Sequence, residues 1–158
     1  MTRARYMAVC GPGQASEQEA AWAEEVGRLI AQAGAVLVCG GLGGVMDAAA
    51  LGAESVGGVS VGLLPGEERD EAGPHLTVAV PTGLGEARNA LVVRAADAVI
   101  AISGEFGTLS EIALALKMRK PVVGLSTWEL SKGGRPVDAI SRVATPEEAV
   151  RAALDAIG

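Results

Sequence analysis

Short apolar runs alternate along the chain with stretches of helical spacing. The first run, 5–11 (RYMAVCG), has the unbroken apolar character of a strand buried on both faces. Residues 15–34 then carry Trp22, Val26, Leu29, Ile30 and Ala33 on one side of a helix, and Gly34 suits the position just past its end. A strand at 35–40, a small-residue helix at 44–57 packed close against a sheet, and a strand at 58–64 are expected next. Residues 65–76 (PGEERDEAGPHL) form a polar loop, the segment with the best claim to mobility. A fourth strand is expected at 77–83 and a helix at 85–96. Strand, helix and strand follow at 98–103, 107–118 and 121–126. Residues 126–143 show no clear period, and 145–157 reads as a closing helix.

Strands alternating with helices predict a mostly parallel sheet covered on both faces. The expectation is an α/β chain with a Rossmann-like, doubly wound sheet of about six to seven strands, forming one domain over 1–158. The ligand crevice of such a sheet lies at the C-terminal strand ends, here expected between the first and fourth strands. No repeat, linker or low-complexity segment interrupts the pattern.

The glycines gather at those strand ends. Gly11 and Gly13 follow the first strand, Gly40, Gly41, Gly43 and Gly44 the second, and Gly104 and Gly107, with Thr108, the fifth. Glycine lets the backbone approach a ligand, and a helix N-terminus offers unpaired N–H groups and partial positive charge. Each loop is therefore a candidate phosphate cradle, although short strand-to-helix turns also use glycine. The run GGLGG at 40–44 holds more glycine than a turn requires. No G-K-[ST] follows any of the loops, and none keeps the G-x-G-x-x-G spacing.

Two charged residues lie beside these loops. Thr108 and Glu111 have the T-x-x-E spacing of a capping box, as do Ser16 with Glu19 and Thr145 with Glu148. Spacing alone thus leaves Glu111 open as cap or as ligand contact. Arg88 falls in the first turn of a helix that is mostly apolar. It is either a solvated helix residue or a cation facing the C-terminal edge, where an anion would sit.

Composition narrows the partners. The 158 residues carry a formal charge of −6, no lysine–arginine block and few aromatics, which disfavours nucleic acid. A small anionic, phosphorylated ligand needs only local donors. No apolar stretch reaches the roughly 18 residues of a membrane span, and the N-terminal apolar run is too short for a secretion signal. A cytoplasmic protein that contacts no membrane is expected. Cys10 and Cys39 end apolar runs and read as buried thiols. His75, the single histidine, has no second ligand at metal spacing, so no metal site is expected.

The set GGLGGVMDAA, GEARN, AADAVIAISGEFGTLSEIALALK and KPVVGL resembles the LOG superfamily, once labelled "possible lysine decarboxylase", over about residues 5–125. That resemblance implies a Rossmann-like fold and, in its best-known members, a cytokinin riboside 5′-monophosphate phosphoribohydrolase. The signature there is an arginine motif followed by PGGxGTxxE. Arg88 matches its arginine, Glu111 its glutamate, and Gly104, Gly107 and Thr108 its phosphate loop. The wording LSEIALALK is closer to the branch that includes the molybdenum cofactor carrier protein, which binds a phosphorylated pterin without turning it over. Where the signature has Pro-Gly-Gly, this chain has Ser103-Gly104-Glu105. A carboxylate about 5 Å from a phosphate costs roughly 1–3 kcal/mol, unless it points to solvent. A backbone angle reserved for glycine would also strain Glu105.

These readings meet at one pocket. The favoured one is a binding protein for a phosphorylated heterocycle, the molybdenum cofactor or a nucleotide. Its alternative is a nucleoside 5′-monophosphate phosphoribohydrolase, in which Arg88 anchors substrate and Glu111 stabilises charge on the ribose or activates water. A DNA-processing protein of related fold fits the acidic charge less well. The resemblance and the apolar, Ala-rich helices imply a homodimer or homotetramer.

Overall fold

The computed structural model describes residues 3–158. Its strands and helices alternate as β1 (Tyr6–Cys10), α1 (Glu17–Gln32), β2 (Val36–Cys39), α2 (Val45–Ser55), β3 (Ser60–Leu64), β4 (Val78–Pro81), α3 (Arg88–Ala95), β5 (Ala98–Ile102), α4 (Phe106–Lys117) and β6 (Val122–Leu125). The chain closes with β7 (Leu130–Lys132), β8 (Arg135–Val137), β9 (Ser141–Val143) and α5 (Pro146–Ile157).

Seven strands form one parallel sheet in the order β4-β3-β2-β1-β5-β6-β9, the doubly wound Rossmann-like arrangement expected. The strands are short apolar runs, and β5 is buried at every position. Alternation sends successive side chains to opposite faces. Met7, Val9, Leu37, Ile100 and Ile102 join the core beneath α1, α2 and α5. Ala8, Cys10, Val38, Val99 and Ala101 join a second core beneath α3 and α4. Cys10 and Cys39 are buried free thiols. Burial, then the nearby Glu111 carboxylate, pushes the Cys10 thiol up; the Cys39 thiol is pushed up to about 11, chiefly by burial.

One expectation needs correction, and two stretches gain detail that the sequence did not show. The crevice does not lie between β1 and β4. Met7 pairs with Ala98, so β5 is the neighbour of β1, while β4 is the outermost strand beyond β3. The chain reaches β4 through a loop with only a 3-10 turn at Arg69–Glu71, extends the sheet outward, and crosses back to the centre through α3. Residues 126–143, which had no readable period, contain the β7–β8 hairpin and β9, which pairs with β6 as the seventh strand of the sheet. These strands are three residues each, too short to show alternation. The small residues of α2 also serve a helix as well as the sheet. A Cβ on Gly52 would lie 1.8 Å from the Glu24 carbonyl oxygen, and one on Gly27 would lie 1.9 Å from that of Ala49. Only glycine permits so close a crossing of α1 and α2.

Helix ends follow local chemistry where a small polar residue is available. Ser16 and Glu19 make the reciprocal capping box of α1, and Gly34, at φ 74°, follows its C-cap. At α5 the Thr145 hydroxyl accepts from the Glu148 N–H at 3.2 Å. The Glu148 carboxylate accepts from Ala144 rather than from Thr145. The polar loop is tethered at several points: among them, Gly73 N–H donates to the Gly41 carbonyl at 2.9 Å, the Gly66 carbonyl accepts from Gly83 N–H at 2.8 Å, and His75 Nδ1 lies 2.6 Å from Glu54 Oε2 on α2. No helix among the described residues is long and apolar enough to cross a membrane.

Candidate functional site

At the C-terminal ends of β1 and β5 the two halves of the sheet wind in opposite directions, and the loops part there to leave a crevice. A cavity of about 240 Å³ in it is lined by Gly11, Pro12 and Gly13 after β1, Met46 of α2, Arg88 and Asn89 of α3, and Glu105, Gly107, Thr108 and Glu111 around the start of α4. A second cavity of about 710 Å³ adjoins it. The two share Arg88, Asn89 and Gly107, and the second adds Glu86, Ala87, Ala90, Phe106, Ser110 and Leu114.

Arg88 begins α3 and is 9% exposed, so it is not a solvated helix residue. Its Nε donates to the Leu63 carbonyl at 2.9 Å, and its Nη2 to the Gly40 carbonyl at 3.3 Å. Its Nη1 donates to Asn89 Oδ1. The guanidinium is thus fixed across the ends of β2 and β3, with part of its donor fork left free. A Cβ on Gly40 would lie 2.6 Å from Arg88 Nη2, which is why that position has no side chain.

Thr108 and Glu111 do not form a capping box. Helix α4 starts at Phe106 with Glu105 as N-cap, three residues earlier than the spacing implied. Thr108 is therefore the third helical residue, and Glu111 lies a turn further in. Both are buried, at 3% and 8% exposure. Burial lifts the Glu111 carboxyl to about 7, and the attraction of Arg88 offsets only part of that rise. Among the described residues no hydrogen bond contributes to holding Glu111 charged.

The two long helices that open onto the crevice lack side-chain caps. Neither Gly44 before α2 nor Glu105 before α4 makes one, whereas α1 and α5, outside the cavity, are capped by Ser16 and Thr145. The first N–H groups of α4, on Phe106, Gly107 and Thr108, precede the first intrahelical donor, Leu109, and remain available to an acceptor.

The remaining glycines shape the crevice from behind. Gly41, at φ 78°, packs on Leu64, and Gly44, at φ 64°, lies over the Pro12–Gly13 backbone, with Gly43 alongside. Gly104, at φ 120°, presses against the Thr108 side chain. Glu105 itself has an ordinary extended backbone at φ −102°. The strain foreseen there falls on Ser103, at φ 50°. The Glu105 side chain is exposed at the cavity rim.

Asn89 and Ser110 were not singled out by sequence. Asn89 Nδ2 donates to Ser110 Oγ at 3.1 Å, and Ser110 Oγ donates to the Gly107 carbonyl at 2.6 Å. With the Arg88–Asn89 bond, this chain of polar contacts links Arg88 to the start of α4. The bond from Asn89 to Ser110 spans 21 positions, so no local motif announces it.

Comparison with known proteins agrees with this architecture. A protein of Archaeoglobus fulgidus with no assigned function is 43% identical over 142 residues, covering 90% of this chain and 89% of that one. The molybdenum cofactor binding protein of the phototrophic bacterium Rippkaea orientalis superposes with a TM-score of 0.89 at 33% identity over 100% of both chains. The molybdenum cofactor carrier protein of Chlamydomonas reinhardtii does so with a TM-score of 0.87 at 32% identity, over 98% of this chain and 99% of that one. A remoter likeness, to DNA processing protein A of Helicobacter pylori (TM-score 0.72, 20% identity, 96% of this chain and 80% of that one), shows the fold alone. The model of the SLOG cluster4 family matches residues 4–150, and the chain belongs to that LOG-like family.

Proposed function

We propose that the crevice binds a phosphorylated heterocycle and releases it unchanged, with the molybdenum cofactor as the foremost candidate and a nucleotide as the next. The observation that carries this reading is the uncapped N-terminus of α4, opposite the buried Arg88 across one cavity. A helix N-terminus left without an internal acceptor is a ready anion site, and a fixed guanidinium adds charge and directional donors. The resemblance to solved molybdenum cofactor binding and carrier proteins supports the choice of ligand.

A phosphorylated pterin suits these groups as cargo. The N–H groups of Phe106, Gly107 and Thr108, with Arg88, would hold its phosphate, and the adjoining cavity has room for its ring. Among the described residues no three His, Cys, Asp or Glu side chains are grouped for a metal ion. In this reading the phosphate and the ring carry the hold. Exposure turns the Glu105 carboxylate toward solvent, which weakens its repulsion of the phosphate.

One observation favours the second reading, a phosphoribohydrolase. Glu111 is buried beside Arg88 with its carboxyl lifted to about 7, the range in which a carboxyl group exchanges protons at neutral pH. In that role it would activate water or stabilise the charge developing on the ribose. Titration calorimetry with GMP, combined with chromatography for free guanine, separates the two. Binding is expected to saturate at one ligand per chain with no guanine released. Absence of binding would overturn the pocket assignment. Guanine release that disappears in Glu111→Gln would replace the binding protein by the enzyme.

A further inference from the structure

Phe106 has no part in the packing described so far. It is the chain's single phenylalanine, and its 76% exposure is the highest among the large hydrophobic side chains described. Isolated surface apolar residues need no explanation, but this ring is held in place. Its centroid lies 5.6 Å from that of Trp128, with a tilt of 34° between the rings. The Trp128 indole N–H donates in turn to the carbonyl of Glu105 at 3.2 Å. The aromatic pair is thus braced against the loop that begins α4. Phe106 also lines the larger cavity, together with Leu114 and with Arg88, Asn89 and Gly107, the three residues shared with the smaller one.

We propose that Phe106 is the platform on which the ligand's planar heterocycle lies. This rests on the reading of the crevice as a site for a phosphorylated heterocycle, and it divides the labour within that site. The N–H groups of α4 and Arg88 take the phosphate, which every phosphorylated ligand carries. The face of Phe106 selects those that also carry a flat heteroaromatic ring. Stacking of a base on an aromatic side chain tolerates different ring systems, because each presents a π-face. The site would accordingly accept fused bicyclic rings, purine or pterin, and discriminate against sugar phosphates.

Calorimetric titration of wild type, Phe106→Ala and Phe106→Tyr with GMP and with ribose 5-phosphate tests this. Ribose 5-phosphate keeps the phosphate and sugar but has no ring to stack. Wild type is expected to bind GMP more tightly than ribose 5-phosphate. Phe106→Ala should lose roughly 5- to 100-fold of its GMP affinity and leave ribose 5-phosphate unchanged, while Phe106→Tyr keeps most of both. Equal loss for both ligands in Phe106→Ala would make the ring a mere prop of the loop and overturn the proposal, as would no loss for either. A wild type that binds both ligands equally well would overturn the platform and leave the phosphate pocket standing. A wild type that binds neither would overturn both.

Discussion

Below about pH 7 the Glu111 carboxyl keeps its proton in the folded chain, because burial outweighs the pull of Arg88. In the unfolded chain it ionises near 4.5. Between those values the folded state holds the extra proton, so stability falls as pH rises through the window and is level above it. The displacement corresponds to a cost on the order of 3 kcal/mol at pH 8. Glu111→Gln removes the ionisable group. The variant is expected to melt above wild type at pH 8, with the difference shrinking toward zero near pH 4.5. Thermal midpoints measured across that range check this, and a variant less stable than wild type at pH 8 would contradict it. The sequence located Glu111 beside a glycine loop and matched it to a family signature. Its burial could not be read there, because the helix start was taken from a T-x-x-E spacing that the fold does not use.

Where helix α4 begins is decided by backbone rather than by a capping side chain. Ser103 and Gly104 both take positive φ, turning the chain so that Glu105 and Phe106 lead into the helix two residues before Thr108. Two glycines of this element differ accordingly. A Cβ on Gly104 would lie 2.4 Å from that of Thr108 and require φ near 120°, so Gly104→Ala should cost about 2–4 kcal/mol. A Cβ on Gly107 meets nothing within 4 Å. Gly107→Ala should leave stability within about 0.5–1 kcal/mol of wild type yet weaken GMP binding, because the methyl enters the space where the phosphate is proposed to sit. Denaturant unfolding and calorimetry on the two variants check both halves; equal stability of the two would refute the account. Glycine at these positions was legible as a loop signal, but nothing local distinguishes a glycine that relieves the backbone from one that leaves room for a ligand. The three-residue strands β7 to β9 were illegible for a related reason, since each is held by a partner rather than by a pattern of its own.

For the whole molecule, the class of fold was legible because buried parallel strands are continuous apolar runs, and the alternation of runs and helices counts them. The order of strands was not. Periodicity says nothing about which strand lies beside which, and β4 continues the outward run of the first half of the sheet instead of crossing to the far side of β1. The pairing of Met7 with Ala98 has a consequence for a chain that emerges from the ribosome N-terminus first. At ordinary rates of synthesis, β1 appears on the order of ten seconds before the strand that will cover its open side. As β2, β3 and β4 emerge in turn within that interval they can assemble on β1, but an apolar edge with free N–H and C=O groups faces outward, open to any other strand. A fragment ending at residue 96, just before β5, would remain in that condition. It is expected to aggregate at concentrations where the full chain stays clear in light scattering, and a clear, monomeric fragment would count against this. The crevice is also absent until then, because its walls run from Gly11 to Glu111 and lack α4 in any shorter product. On the proposed function, a nascent chain would thus be unable to load a ligand until after the most aggregation-prone stage of its synthesis has passed.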